Sequence, residues 1–574
     1  MKSRSRALLT VLTLLLTVFG LAALPSASLA SAPDASGAPA GPGATAAQDV
    51  VAAMQPGWNL GNTLDATGDD ETSWGNPRVE PELFGAIKAE GFNSVRIPVT
   101  WGQHQGAGPD YTIDPEYLER VQEVVGWAVD EGLYVLINVH HDSWQWVMDL
   151  PTRHDEVLAQ YTATWEQIAG AFRDAPELLL FESINEPFFE GSSGEAQDAE
   201  LLHELNTVFH ALVRDSGGGN ADRLLVLPTL HTSSDQPRLD ELAATFDELD
   251  DPNLAATVHY YGFWPFSVNV AGYTRFDEET EADLTGAFDR VHQTFVARGI
   301  PVILGEYGLL GFDRHTGTVQ QGEKLKFFEA FGAEAREHQV TTMLWDNGQH
   351  LGRTSFEWSD PALFGQIASS WEGRSGTATT DQVYVERGAD PAPATVGLNL
   401  NGTTLTSVAH GAEPLVEGVD YTLDGDALTL AAETLVRLTG SQEYGVNATL
   451  TLEFSAGVDW DLHVITYEAP SLDAASGSTE GLDIPTAFRG DQLATMEAVY
   501  ADGGNAGPHD WTSFKEFGAA FEPDYDAGTI SLTSDFFAEV DDGSTVGLTF
   551  HFWSGETVEY TLTRSGSQVT GSPA

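Results

Sequence analysis

From Met54 to about Trp371, short runs of apolar residues alternate with stretches whose apolar positions recur every three or four residues. The short runs read as strands: GWNLGN, SVRIPVTW, YVLINVHH, LLLFESINE, RLLVLPT, AATVHYY, PVILGEYG and TTMLWDNG. DPEYLERVQEVVGWAVDEG, between the second and third, shows the helical half of the pattern. Asp114 is placed to cap it, Pro115 suits its first turn, Leu118, Val121, Val125 and Ala128 share a face, and Gly132 closes it. Strand and helix repeated eight times over about 320 residues predict an α/β fold, a (β/α)8 barrel. The rival, an open doubly wound sheet, lacks a glycine-rich phosphate loop after the first strand.

Past Trp371 the apolar period falls to two. EGRSGTATTDQVYVERGADPAPATV reads as a polar connection, followed by the strands VGLNLNGTTLTSV, YTLDGDALTL, NATLTLEFSAG and WDLHVITY. Turn signals such as Asp424-Gly425 separate them, as in a β-sandwich. A second β-rich unit holds LATMEAVYADG, GTISLTSDFFAEV, STVGLTFHFWSG and ETVEYTLTR. The predicted order is a barrel over 48–371, a sandwich over 388–469 and a last β domain over 471–570.

The strand ends carry the candidate chemistry. LLLFESINEPFFEG runs apolar residues straight into Asn185-Glu186 and stops at Pro187, which cannot donate to a ladder. Asn59 and Asn62 follow the first strand, and Arg96 and Trp101 lie on the second. His140, His141 and Asp142 close the third, His259 and Tyr261 the sixth, Glu306 and Tyr307 the seventh, and Trp345, Asp346 and Asn347 the eighth. In a barrel the carboxyl ends of the strands share one face, where sites are built. Two glutamates there can stand about 5–5.5 Å apart, the separation that suits hydrolysis of a glycoside with retention. One would protonate the leaving oxygen and the other, ionised, would attack the anomeric carbon. Arg96 can keep one carboxyl ionised, and that charge would raise the pKa of the second and keep it protonated. Asn185 can bond a sugar hydroxyl, His259 and Tyr261 can orient the carboxyls, and Trp345 offers a flat floor for a pyranose.

Other chemistries fit less well. His140-His141-Asp142 suggests a metal, but neighbouring strand histidines diverge, and HELNT lacks the second histidine of a zinc helix. No GxSxG elbow occurs. Neither a metal nor any other cofactor is expected.

Composition narrows the partners. The 574 residues carry a formal net charge of -60 and no cysteine. Lysine occurs only at positions 2, 88, 324, 326 and 515. Such a surface repels nucleic acid and anionic lipid and is compatible with a neutral ligand. Lys2, Arg4 and Arg6 precede an apolar run from Ala7 to about Leu24, with Ser28 and Ala30 at a signal-peptidase-like site. Residues 1–30 read as a secretory signal and 31–47 as a Pro/Gly/Ala linker. The expectation is a secreted, extracellular monomer that has no membrane segment once the signal is cleaved.

GWNLGNTLDA, VRIPVTW, INVHHD, SINEPF, VHYYGFWPF, ILGEYG and MLWDNG together resemble the motif set of glycoside hydrolase family 5, within clan A, and most of all its bacterial endo-β-1,4-glucanase branch. The likeness covers roughly residues 48–371 in chain order. It implies Glu186 as acid/base and Glu306 as nucleophile, with Arg96, His140, Asn185, His259, Tyr261 and Trp345 completing the site. His141 fits less well, because adjacent strand residues face opposite sides. The sandwich resembles the immunoglobulin-like module of bacterial cellulases and reads as a spacer. The last domain resembles carbohydrate-binding module family 46. The implied substrate is a plant cell-wall type β-glucan polysaccharide, cellulose-like or mixed-linkage. Xyloglucanase or β-mannanase activity, or a non-catalytic wall-binding role, stays open. Trp144, Trp146 and Trp264, beside Phe188 and Phe263, are candidates for stacking sugars in the cleft. Trp511 and Trp553 are candidates on the last domain.

Overall fold

The computed structural model describes residues 46–390 and 392–574; the leader and nearly all of the predicted linker lie outside them. Eight parallel strands close into a barrel in chain order. They are β1 (Gly57–Asn59), β2 (Ser94–Ile97), β3 (Tyr134–Asn138), β4 (Leu179–Glu182), β5 (Leu225–Pro228), β6 (Leu254–Tyr260), β7 (Val302–Tyr307) and β8 (Thr341–Leu344). Nearly every strand residue is buried, as expected where side chains fill the barrel on one side and helices cover the other.

The helix Pro115–Asp130 shows how sequence makes the outer layer. Asp114 accepts the Glu116 amide at 2.9 Å, a cap that stabilises the helix by about 1 kcal/mol. Val121, Val124, Val125 and Ala128 are buried against the barrel, while Leu118 is only half-buried. Gly132 has φ +73°, a value glycine adopts without strain.

Ala46 and Ala47, placed by sequence in the linker, instead begin the helix Ala46–Ala53. Ala47, Val51 and Met54 close the amino-terminal end of the barrel against Leu136, Leu180, Val226, Ile303 and Met343. The apolar spacing of Ala47, Val51 and Met54 outweighs the small-residue composition around them.

The middle module packs a five-stranded sheet on a four-stranded one. Two of its strands, Thr377–Ala378 and Gln382–Glu386, lie in the segment read as a polar connection. Gln382–Glu386 pairs in parallel with Trp460–Tyr467, burying Val383 and Val385 on alternate positions. The last domain is a large, mostly antiparallel sheet around Ile484, Met496, Phe521, Phe550 and Leu562. Five of its strands, Ser471–Leu472, Ala475–Ser478, Gly481–Ala487, Phe521–Asp524 and Gln568–Pro573, lie outside the runs read from sequence.

The modules are tied together by polar contacts. Arg374 and Asn401 both bond Glu329 of the barrel, and the Gln320 amide reaches both oxygens of Asp381. The Asn269 side-chain amide, at φ +50° beyond β6, donates to Thr318 O at 3.1 Å and to Ala494 O of the last domain at 3.0 Å. Its own carbonyl accepts the Phe517 amide at 3.2 Å.

Candidate active site

Arg96, at the carboxyl end of β2, is fully buried and organises the barrel mouth. Its guanidinium bonds both oxygens of Glu182, at 2.7 and 3.0 Å. It also bonds Glu306 at 2.6 Å, Asn185 at 2.7 Å and Asn59 at 3.1 Å. Burial alone would weaken its charge. The carboxylates of Glu182 and Glu306 more than offset that, and its pKa lies above the ordinary value.

β7 delivers Glu306 through a local irregularity. The register with β6 shifts between Val258 and His259, bringing His259 opposite Glu306. Gly305 sits at the kink, where a Cβ would lie 2.9 Å from Thr257 Oγ1 and 3.1 Å from His259 Nε2. The Tyr261 hydroxyl donates to the second Glu306 oxygen at 2.6 Å. Glu306 is thus held on both oxygens, by a cation and by a phenol.

Glu186 is held differently. It has φ +40°, just before Pro187, and its side chain is 45 % exposed to the cleft. One oxygen accepts His259 Nδ1 at 2.8 Å. Oxygens of Glu186 and Glu306 and a His259 nitrogen all lie within 4.8 Å of one another. Burial pushes the Glu186 carboxyl up, but the bond and charge of His259, and then Arg96, bring it below its ordinary value. Burial pushes the His259 imidazole down, while the Glu306 charge and the Glu186 bond raise it. Each shift comes in part from the one hydrogen bond that Glu186 and His259 share.

The remaining candidates line the same mouth. His140 stacks on Trp345, with ring centroids 6.0 Å apart and planes 6° from parallel. Its pKa is driven well down by burial and by the neighbouring His141 and Arg96, which leaves it neutral. Gly61 lets the Trp345 ring approach the first loop, since a Cβ there would meet it at 2.9 Å.

His141 corrects the sequence argument. β3 ends at Asn138, and His141 already has helical φ −72° and ψ −5°. It therefore turns to the same side as His140, with ring centroids 4.4 Å apart. The two histidines do converge, and with Asp65 they group their ligand atoms within 4.8 Å. The Asp65 oxygens accept the Asn62 and Thr63 amides, His141 Nδ1 accepts the Trp144 indole, and His141 Nε2 lies 3.3 Å from an Asp65 oxygen.

The aromatic candidates separate. Trp144 and Trp264 are 42 % and 41 % exposed at the mouth. Trp146 is buried, with its indole on Asp142 at 2.7 Å, and is core rather than cleft. Trp74, missed in the sequence, is half-exposed with its ring 5.1 Å from His141. Trp511 of the last domain faces Trp264 at 6.1 Å and is 57 % exposed. Trp553 lies apart from that pair: Arg275 covers its ring at 4.9 Å, and it lines a cavity of about 860 Å³ between the three modules.

Glu182 also escaped the sequence reading. It lies four residues before Glu186, and a buried carboxylate on a core strand demands a cation such as Arg96.

Residues 61–351 match the cellulase family, glycosyl hydrolase family 5. The chain belongs to that family. As a family 5 glycoside hydrolase it carries two further matches, carbohydrate binding domain X2 over 377–464 and a carbohydrate binding domain of type 46 over 468–572. Endoglucanase B of Paenibacillus lautus is 54% identical over 575 residues, spanning 100% of both chains. The solved full-length tri-modular endo-β-1,4-glucanase B of Bacillus halodurans is 55% identical, with TM-score 0.90, covering 92% of this family 5 chain and 99% of that one. A tri-modular subfamily 4 endo-β-1,4-glucanase of Bacillus licheniformis, complexed with cellotetraose, is 32% identical with TM-score 0.76, covering 92% and 99%. Among the described residues, no helix is long and apolar enough to cross a membrane.

Proposed function

We propose that the chain is a retaining endo-β-1,4-glucanase that cuts internal bonds of β-glucan polysaccharide, with Glu306 as nucleophile and Glu186 as acid/base. The asymmetry of the two carboxyls carries the assignment. Glu306 is buried between Arg96 and Tyr261, which bond one oxygen each and fix it in place. Glu186 faces the cleft, where a leaving oxygen can reach it.

In the first step a Glu306 oxygen bonds the anomeric carbon. The glycosidic bond breaks, and its oxygen takes the proton of Glu186. Substrate covers the half-exposed Glu186 and expels water, which strengthens the desolvation that already pushes its pKa upward. His259 can then return the shared proton to it. In the second step Glu186 takes a proton from water, the water oxygen bonds the anomeric carbon, and Glu306 leaves. Two displacements restore the starting configuration. Asn185 supports the sugar beside the reacting bond, and Trp345 supports its face.

The cleft continues along Trp74, Trp144 and Trp264, and Trp511 brings the last domain to its edge. The leader-like start of the sequence supports action outside the cell.

A 2-fluoro glycoside with a good leaving group tests the assignment. Its mass is expected on the peptide holding Glu306; label on Glu186, or inverted product by NMR, overturns it.

A further inference from the structure

Lys515 is the only lysine after position 326 in a chain of net charge -60, and it is one of the most buried residues of the last domain, with no accessible surface. Among the described residues, no carboxylate forms an ion pair with it. Its ammonium instead donates to three main-chain carbonyls, Pro508 at 2.9 Å, His509 at 3.3 Å and Thr512 at 2.8 Å. Its own amide bonds Met496 O at 2.9 Å, anchoring it to the strand Leu493–Tyr500 at one end of the sheet. The Asp510 carbonyl accepts the Asn505 amide at 2.8 Å. The carbonyls of residues 508, 509, 510 and 512 are thus all engaged by polar side chains. With them satisfied, the Trp511 ring stands outward, towards Trp264. The loop does not hold this shape by local preference, since His509 has φ +59°.

Resting on the reading that Trp511 edges the cleft, we infer that Lys515 is a positioning residue. Its buried ammonium fixes the 508–512 loop so that Trp511 and Trp264 present one surface to the glucan. An ammonium has three N–H donors for three carbonyls, whereas a neutral amine has two. Burial pulls Lys515 down to about 8, against the charges of Asp510 and Glu539. Nearby, Glu516 is bonded by His509 at 2.8 Å and approached by Arg314 at 3.6 Å.

The test uses the full chain, whose lack of cysteine allows a nitroxide on Asp510→Cys to report loop mobility. Lys515→Met is expected to raise KM for soluble β-glucan about 2- to 10-fold, the scale of one aromatic contact. It should leave kcat and hydrolysis of a small aryl cellobioside as they were, and the label should become more mobile. Parental KM together with parental label mobility overturns the inference. Trp511→Ala separates the two readings. If its polymer KM is parental, the shared-cleft reading falls, and label mobility alone still decides whether Lys515 holds the loop. Should Lys515→Met fail to fold, the label is read in Lys515→Gln, whose neutral amide keeps only two N–H donors for the three carbonyls. Mobility above the parent's supports the cage, and parental mobility overturns it.

Discussion

Two regions of the molecule are each built around one fully buried cation. At the barrel mouth, Arg96 faces the carboxylates of Glu182 and Glu306 and the amide oxygens of Asn59 and Asn185. In the last domain, Lys515 bonds main-chain carbonyls, and the charges of Asp510 and Glu539 act on it without a bond. Carboxylates compensate the cost of burying charge, so Arg96 stays charged at any working pH. Dipoles compensate it less, so Lys515 titrates near 8. The rigid planar cation sits where a nucleophile has to be held ionised. The titratable one sits where a loop has only to be held still.

The largest effect should come from removing the first cation. Arg96→Met leaves two buried carboxylates without their partner, and a loss of about 3–5 kcal/mol of stability is expected in denaturant melts. In variants that still fold, kcat should fall by at least about 10²–10³-fold. Arg96→Lys should not rescue, because one ammonium cannot serve four side chains with the guanidinium's geometry. Near-parental activity of Arg96→Lys would erase the distinction between the two cations.

Tyr261→Phe sharpens the barrel side. It removes the phenol from Glu306 and leaves Arg96 in place, so about 1.5–3 kcal/mol of bonding to a charged group is lost. kcat/KM should drop about 10- to 100-fold, with a fall of a few degrees in melting temperature.

The smallest effect is on stability against pH, where the two regions should move in opposite directions. Glu186 lies below its ordinary value, so its contribution is present above the unfolded carboxyl pKa and is lost as pH falls through the folded one. His259 lies above its ordinary value, so its contribution is full below the unfolded imidazole pKa and is lost as pH rises through the folded one. Lys515 is depressed, so between about 8 and the unfolded lysine pKa of about 10.4 the cost of burying its charge is relieved and stability rises. Melting curves of Glu186→Gln and Lys515→Met against the parent check this. The first difference should narrow at both acid and alkaline ends, and the second should change only above about pH 8.

The barrel could be read from sequence because each strand ends in a polar or aromatic residue after an apolar run, and that period survives folding. Glu186 and Glu306 stand out for the same reason. Glu182 does not, because inside a strand a glutamate looks like a register error until Arg96 is known to lie beside it. The strand Gln382–Glu386 was hidden by Thr, Gly and Asp on both sides, although its Val383 and Val385 alternate correctly. His141 was misjudged by strand alternation carried three residues past the end of β3. Trp144 and Trp146 are alike in sequence, and only the bond of Trp146 to Asp142 separates core from cleft. Lys515 gave a faint signal, a lone lysine in a chain nearly without them.

Asn269 binds two barrel loops and the last domain with one side chain and one carbonyl. Module exchange in such an enzyme is therefore not a cut-and-paste operation. A foreign binding domain grafted after Tyr467 would have to bring its own acceptor for that amide and its own donor for that carbonyl. Otherwise it would leave two polar groups stranded at the seam, and the barrel loop that carries Trp264 would lose its brace.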